Sequence, residues 1–185
     1  MPVSLASVRQ THPLIGEYRS IRALSMRLTD TLSAEDQMLQ SMPEASPAKW
    51  HLAHTTWFFE TFVLAPHEAA YRPFDPAFSA LFNSYYQALG TPFFRHRRGL
   101  LSRPGVEEVQ AWRAHVDEAM EDLLAEGCAS KMESLILLGL HHEQQHQELL
   151  LTDIKHAFFQ NPLLPAYRQS RAPEGQAAPL RWVEY

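Results

Sequence analysis

The segment Leu140-His-His-Glu-Gln-Gln-His-Gln-Glu-Leu149 places His142 and His146 four positions apart within a run of helical periodicity. Residues i and i+4 lie on one helix face, one turn apart, so two imidazoles at this spacing aim at a common point. That is a standard way for a helix to chelate a metal ion. Leu135, Leu138, His142, His146, Leu149 and Asp153 recur every three or four positions, which reads as one inward stripe with the histidines where core leucines would otherwise sit. A lone inward histidine is usually satisfied by core neighbours. Two at chelating spacing are different, because an uncharged buried pair is costly unless each ring nitrogen finds a partner, and a metal partners both rings at once.

A third ligand is expected from His51 or His54. His54 shares register with the inward residues Trp50, Trp57, Phe58 and Thr61, so it is favoured; His51 is offset and reads as a supporting residue or one facing a neighbouring helix. His141 adjoins His142 and therefore faces about 100° away, toward a boundary or the surface. The chain has 10 histidines, and His12, His67, His96, His115 and His156 are scattered. Three neutral imidazoles from two helices leave other coordination positions open, and such a set suits Fe, Zn, Cu or Ni. Residues 142–146 also match the H-E-x-x-H pattern of zinc hydrolases, in which the glutamate is the general base. That reading ranks second, since no sheet to align a peptide and no extended downstream ligand pattern is evident. Glu143 is expected to face solvent or to support the ligands.

These residues need helices to hold them. A first helix is predicted from about Leu14 to Leu32, with Tyr18, Ile21, Leu24, Leu28 and Leu32 as its apolar stripe. Ser33 with Asp36 marks a further turn that Pro43 ends. A second helix starts at Ser46-Pro47, an N-cap serine followed by proline at the first helical position, and runs to about Leu64, before Pro66. A long connection follows, with a helix start at Asp75-Pro76, a stop at Gly90 and a loop over 95–104. The next helix covers about Val106 to Ala125, with Val109, Trp112, Val116, Met120 and Leu123 inward and Gly127 as its stop. The last runs from about Lys131 to Phe159 and ends at Asn161-Pro162. The fold expected is all-α: an antiparallel four-helix bundle with a long crossover loop and an extended C-terminal tail.

Composition sets the remaining bounds. At 185 residues, 45% hydrophobic, the chain can build an ordinary core without disulfides. A net charge of −5 argues against nucleic-acid binding, since the one basic cluster, Arg95 to Arg103, is local. The single cysteine, Cys128, permits no intrachain disulfide and points to a reducing, cytoplasmic setting. No signal peptide is evident, and the longest apolar run, Leu135 to Leu140, is too short to span a membrane. Residues 165–185 are rich in proline, lack periodicity and end on Leu180-Arg-Trp-Val-Glu-Tyr185, which reads as a linker leading to the first strand of a further domain.

Two long segments, Ser46-Pro-Ala-Lys-Trp-His-Leu-Ala-His-Thr-Thr-Trp-Phe-Phe-Glu-Thr-Phe62 and Leu140–Leu149, resemble the signature segments of the ergothioneine-biosynthesis sulfoxide synthases, the EgtB family. Phe82-Asn-Ser-Tyr-Tyr86 and Arg97-Arg-Gly-Leu-Leu-Ser-Arg-Pro104 fit its connecting region, so the likeness spans nearly the whole chain. It implies a DinB-like helical bundle over 1–164, followed by a second domain resembling formylglycine-generating enzyme, of which 165–185 would be the beginning. It implies Fe(II) held by His54, His142 and His146. It further implies that Gln145 contacts N-α-trimethylhistidine, and that Arg95 and Arg98, with Arg97 or Arg103 as alternatives, hold the carboxylates of a cysteine-containing thiol. The reaction implied consumes O2 and joins that thiol to the imidazole carbon as a sulfoxide. The family's catalytic tyrosine lies in the second domain, so no catalytic residue is assigned here, and this chain alone is expected to bind metal but to turn over poorly. A stand-alone DinB-like, metal-dependent thiol transferase is the remaining alternative.

Overall fold

The computed structural model describes residues 12–84, 92–126, 132–169, 179 and 181–183. Among them every regular element is helical and no strand is present. Helix α1 spans Leu14–Thr29 and buries Tyr18 and Ile21, but Leu24 is exposed, because Arg22 and Ser25 take the inward positions beside it. Leu32 is buried just beyond the helix end. The turn read at Ser33 closes reciprocally: Ser33 N–H donates to the Asp36 carboxylate (2.9 Å) and Asp36 N–H to Ser33 Oγ (3.1 Å), opening a single 3-10 turn over Asp36–Met38.

Helix α2, Ala48–Phe58, is buried along its whole length. Its N-cap position is Pro47 and no side chain caps it, so the expected Ser46 cap is corrected: Ser46 Oγ accepts from Arg98 instead (2.9 Å). Beyond Phe58 the chain winds on as a π-helical turn, Phe59–Leu64, and then as the short α3, Ala65–His67. Pro66 therefore does not lie beyond the helix. It sits in the first turn of α3. The turn packs on α6 at Gly139, where a Cβ would lie 2.7 Å from the Phe59 ring and 2.8 Å from the Phe58 ring. Only glycine admits both rings there.

Helix α4, Phe78–Leu81, begins where Asp75 Oδ1 accepts the Ala77 N–H (2.8 Å). The predicted loop over 95–104 contains a 3-10 segment, Arg95–Leu100. Helix α5, Val106–Ala125, buries all five predicted core residues and, in addition, Arg113 and Leu124. Helix α6 is the longest, Glu133–Gln160. Helix α2 packs against α5 and α6, and α1 packs against the same two. The main core forms where all four meet, around Tyr18, Trp57, Phe59, Trp112, Val116 and Leu140. Large side chains removed from water in this way stabilise the fold by roughly 1.5–3 kcal/mol each. A smaller cluster of Leu32, Ala48, Leu150, Ile154 and Phe158 carries Tyr167, whose hydroxyl donates to the Leu28 carbonyl (2.6 Å). The segment read as a linker from Pro165 is thus anchored at its start.

The inward face of α6 differs from the expected one. Ile136, Leu140, Glu143, Gln147, Leu150 and Ile154 face the core, while Leu138 is exposed and the histidine stripe beside it faces a cavity. The two stripes are one residue apart, so helical periodicity supports either. No helix among the described residues is long and apolar enough to cross a membrane. Gly90, Gly127, Cys128, Lys131, Tyr85, Tyr86, Leu180 and Tyr185 lie outside the described residues; Trp182 and Val183 are exposed.

Candidate metal centre

His54 from α2 and His142 and His146 from α6 converge, each offering a ring nitrogen, with those atoms all within 4.8 Å of one another. Ring centroids lie 5.0 Å apart for His54 and His142, 4.9 Å for His54 and His146, and 4.6 Å for His142 and His146. Imidazole nitrogens bind zinc-like ions at about 2.0–2.1 Å, so the space between the three rings is of the right order.

Each ring is held differently. His54 is sandwiched between the indoles of Trp50 and Trp57, stacked at 4.5 Å and 5.2 Å. Its Nδ1 donates to the Phe82 carbonyl (2.7 Å). A carbonyl only accepts, so the proton is on Nδ1 and the lone pair is on Nε2. His142 packs against Phe58, and its Nδ1 is buried with no hydrogen-bond partner. His146 brings its Nδ1 within 2.9 Å of His51 Nδ1. His51 in turn places its Nε2 3.0 Å from Asp153 Oδ2, which also accepts the Ser46 N–H (2.8 Å).

The electrostatics favour neutral rings. Burial pushes His54 down to about 3, helped by the neighbouring His142. Burial, then His51 and His54, pushes His146 well below its usual range, and burial lowers His142 as well. Three imidazoles that refuse protons and converge with a ring nitrogen each form a donor set suited to a metal.

The triad borders a cavity of about 290 Å³ walled by Trp50, Trp57, Phe58 and Leu138. Gln145, Arg95 and Arg98 all line it, whereas Arg97 and Arg103 do not. Gln145 and Arg95 are exposed at its edge. Arg98 is buried; its guanidinium lies 3.3 Å from the Trp50 ring centre and donates to Ser46 Oγ and to Ser84 Oγ (3.1 Å). His141 is exposed and touches Gln144, as read from its position on the helix wheel.

Glu143 requires a correction. It is not solvent-facing but 0% exposed, about 100° round α6 from His142, paired with Arg113 and with Arg22 (2.9 Å) and accepting from Ser25 Oγ. Burial alone would raise its carboxyl, but Arg113, Arg22 and the hydroxyl outweigh that and hold it at about 2. A carboxylate so committed cannot serve as a general base for a ligand in the cavity. Sequence reasoning also missed the structural parts played by Asp153, Phe82, Arg22 and Arg113. The one available signal was the two arginines within otherwise apolar helix faces. Neither protein-family models nor curated proteins give a match to this chain.

Proposed function

We propose that His54, His142 and His146 hold iron(II), and that the chain is the metal-binding part of an O2-dependent sulfoxide synthase acting on a cysteine-containing thiol and N-α-trimethylhistidine. The architecture proposed with it is the antiparallel DinB-like four-helix bundle, formed by α1, α2, α5 and α6, with 165–185 leading into a second domain that carries the catalytic tyrosine. The observation that carries the reading is the convergence of the three histidines at a cavity that Gln145, Arg95 and Arg98 also line. The resemblance of the Ser46–Phe62 and Leu140–Leu149 segments to the sulfoxide synthases supplies the substrate class.

Iron(II) bound there would lower the pKa of a coordinated thiol and activate dioxygen. The chain's own residues prepare the site around it. Neutral ligands leave the ion its full positive charge. Arg98, pre-set by Ser46, Ser84 and the Trp50 face, presents a fixed cation to a substrate carboxylate, and Arg95 adds a second, mobile one at the edge. Gln145, one position before His146, reaches the same space and can hydrogen-bond the second substrate. The aromatic wall excludes water and holds both substrates close, which lowers the entropic cost of a reaction with three participants. A thiol transferase on the same bundle would share the metal centre but would not consume oxygen. A zinc hydrolase would need Glu143, which is engaged elsewhere.

The test is anaerobic titration of cysteine and glutamylcysteine into the Co(II)-loaded protein. The expected result is a thiolate-to-cobalt charge-transfer band, with apparent affinity at least tenfold weaker in Arg98→Met. Bound cobalt with no such band at millimolar thiol would overturn the thiol assignment.

A further inference from the structure

We propose that His51 and Asp153 form a positioning relay behind His146, fixing the tautomer in which its Nε2 faces the metal and making it the strongest donor of the three ligands. The inference rests on the metal-centre reading above. It follows from proton counting along one chain of contacts. Asp153 is a carboxylate and only accepts, so the 3.0 Å contact puts a proton on His51 Nε2. His51 is 3% exposed, which favours the neutral ring, so its Nδ1 carries a lone pair. The 2.9 Å contact between the two Nδ1 atoms then requires a hydrogen on His146 Nδ1. A neutral His146 protonated there has its lone pair on Nε2. One carboxylate on α6 therefore sets, through a residue of α2, which nitrogen its own helix offers about two turns earlier.

The arrangement is built rather than incidental. Asp153 Oδ2 also accepts the Ser46 N–H at 2.8 Å, which fixes the carboxylate against the start of α2. His54 has the corresponding device in neutral form, a backbone carbonyl at 2.7 Å. His142 has none, its Nδ1 being buried without a partner. The three ligands are thus graded: a ring backed by a negative charge, a ring backed by a dipole, and a ring with no backing from the protein. Backing by a carboxylate raises ligand basicity, and loss of such partners typically costs 10–100-fold in metal affinity.

The test is Zn(II) affinity, by competition with a chelating dye, of the full chain and of His51→Leu, Asp153→Asn and the double variant. It is read together with the 15N histidine spectrum of the zinc-loaded protein. We expect about a 10–100-fold loss in His51→Leu, about tenfold in Asp153→Asn, and no further loss when Asp153→Asn is added to His51→Leu. We also expect His146 to show a protonated Nδ1 and a zinc-bound Nε2, a signature that a merely structural role for His51 would not require. Parent-like affinity in both single variants overturns the relay while leaving the metal centre standing, and so does zinc on His146 Nδ1. A parent chain that binds no zinc overturns both. If His51→Leu does not fold, Asp153→Asn alone decides by the same criterion, with its metal-free melting temperature as control.

Discussion

Replacing Glu143 by glutamine keeps the shape of the side chain and removes its charge from the centre of the fold. Glu143 is 0% exposed, and its charge faces two guanidinium groups that are themselves only 3% and 2% exposed. Arg22 retains Asp117 (2.6 Å), but Arg113 keeps no carboxylate partner apart from Glu143 in any ion pair among the described residues. Removing one member of a buried pair typically costs about 3–5 kcal/mol, because the remaining charge is stranded. A second route gives a similar figure. A carboxyl lowered from 4.5 to about 2 corresponds to roughly 3 kcal/mol at ~1.4 kcal/mol per tenfold change in proton affinity. Either figure is a large share of the ~5–15 kcal/mol that holds a typical domain together. The assay is guanidinium unfolding at neutral pH followed by far-UV circular dichroism. The sign of the pH effect is fixed as well. The folded carboxyl is the stronger acid, so its contribution is complete above about pH 4.5 and is lost as pH falls through about 2. The gap between parent and Glu143→Gln should therefore close across that window. A variant within 1 kcal/mol of the parent at neutral pH would refute the network reasoning, and loss of a hydrolytic activity without loss of stability would restore Glu143 as a general base.

Gly139→Ala should destabilise by about 1–3 kcal/mol through overpacking, since its Cβ would meet two ring edges below 3.0 Å and Phe59 is fully buried. Because Phe58 also packs on His142, metal affinity should fall with the melting temperature; a thermally neutral variant would mean that the π turn yields easily. In metal-free protein, acid should destabilise between about pH 6.5 and 3, because the unfolded chain takes up a proton that buried His54 refuses. His54→Gln should flatten that part of the profile, and an unchanged slope would show that His54 is not buried in solution.

Much of this was legible from residue spacing, and the exceptions have physical causes. Helix α5 was readable to its individual core residues because a single apolar stripe of Val109, Trp112, Val116, Met120 and Leu123 leaves one inward face. Helix α6 carries two plausible stripes, so periodicity alone puts Leu138 in the core although it borders the cavity, and leaves Glu143 to face solvent or support the ligands although it anchors the core. Periodicity cannot show that a glutamate is inward when its partners, Arg22 and Arg113, lie 121 and 30 positions away. The π turn at Phe59–Leu64 was hidden for a similar reason: its complement is Gly139 on another helix. The convergence of His142 and His146 was evident because i, i+4 spacing is local, and His54 followed from its register with Trp50 and Trp57. The contact between His51 and Asp153, 102 positions apart, depends on how α2 lies against α6, which no local pattern encodes.

The most direct test of the central claim is an anaerobic iron(II) titration of the chain beside His54→Ala and His146→Ala. The account predicts one iron per parent chain and none held by either variant at the same concentration. Retention of iron by His54→Ala with parent affinity would contradict it, since the third ligand would then lie elsewhere.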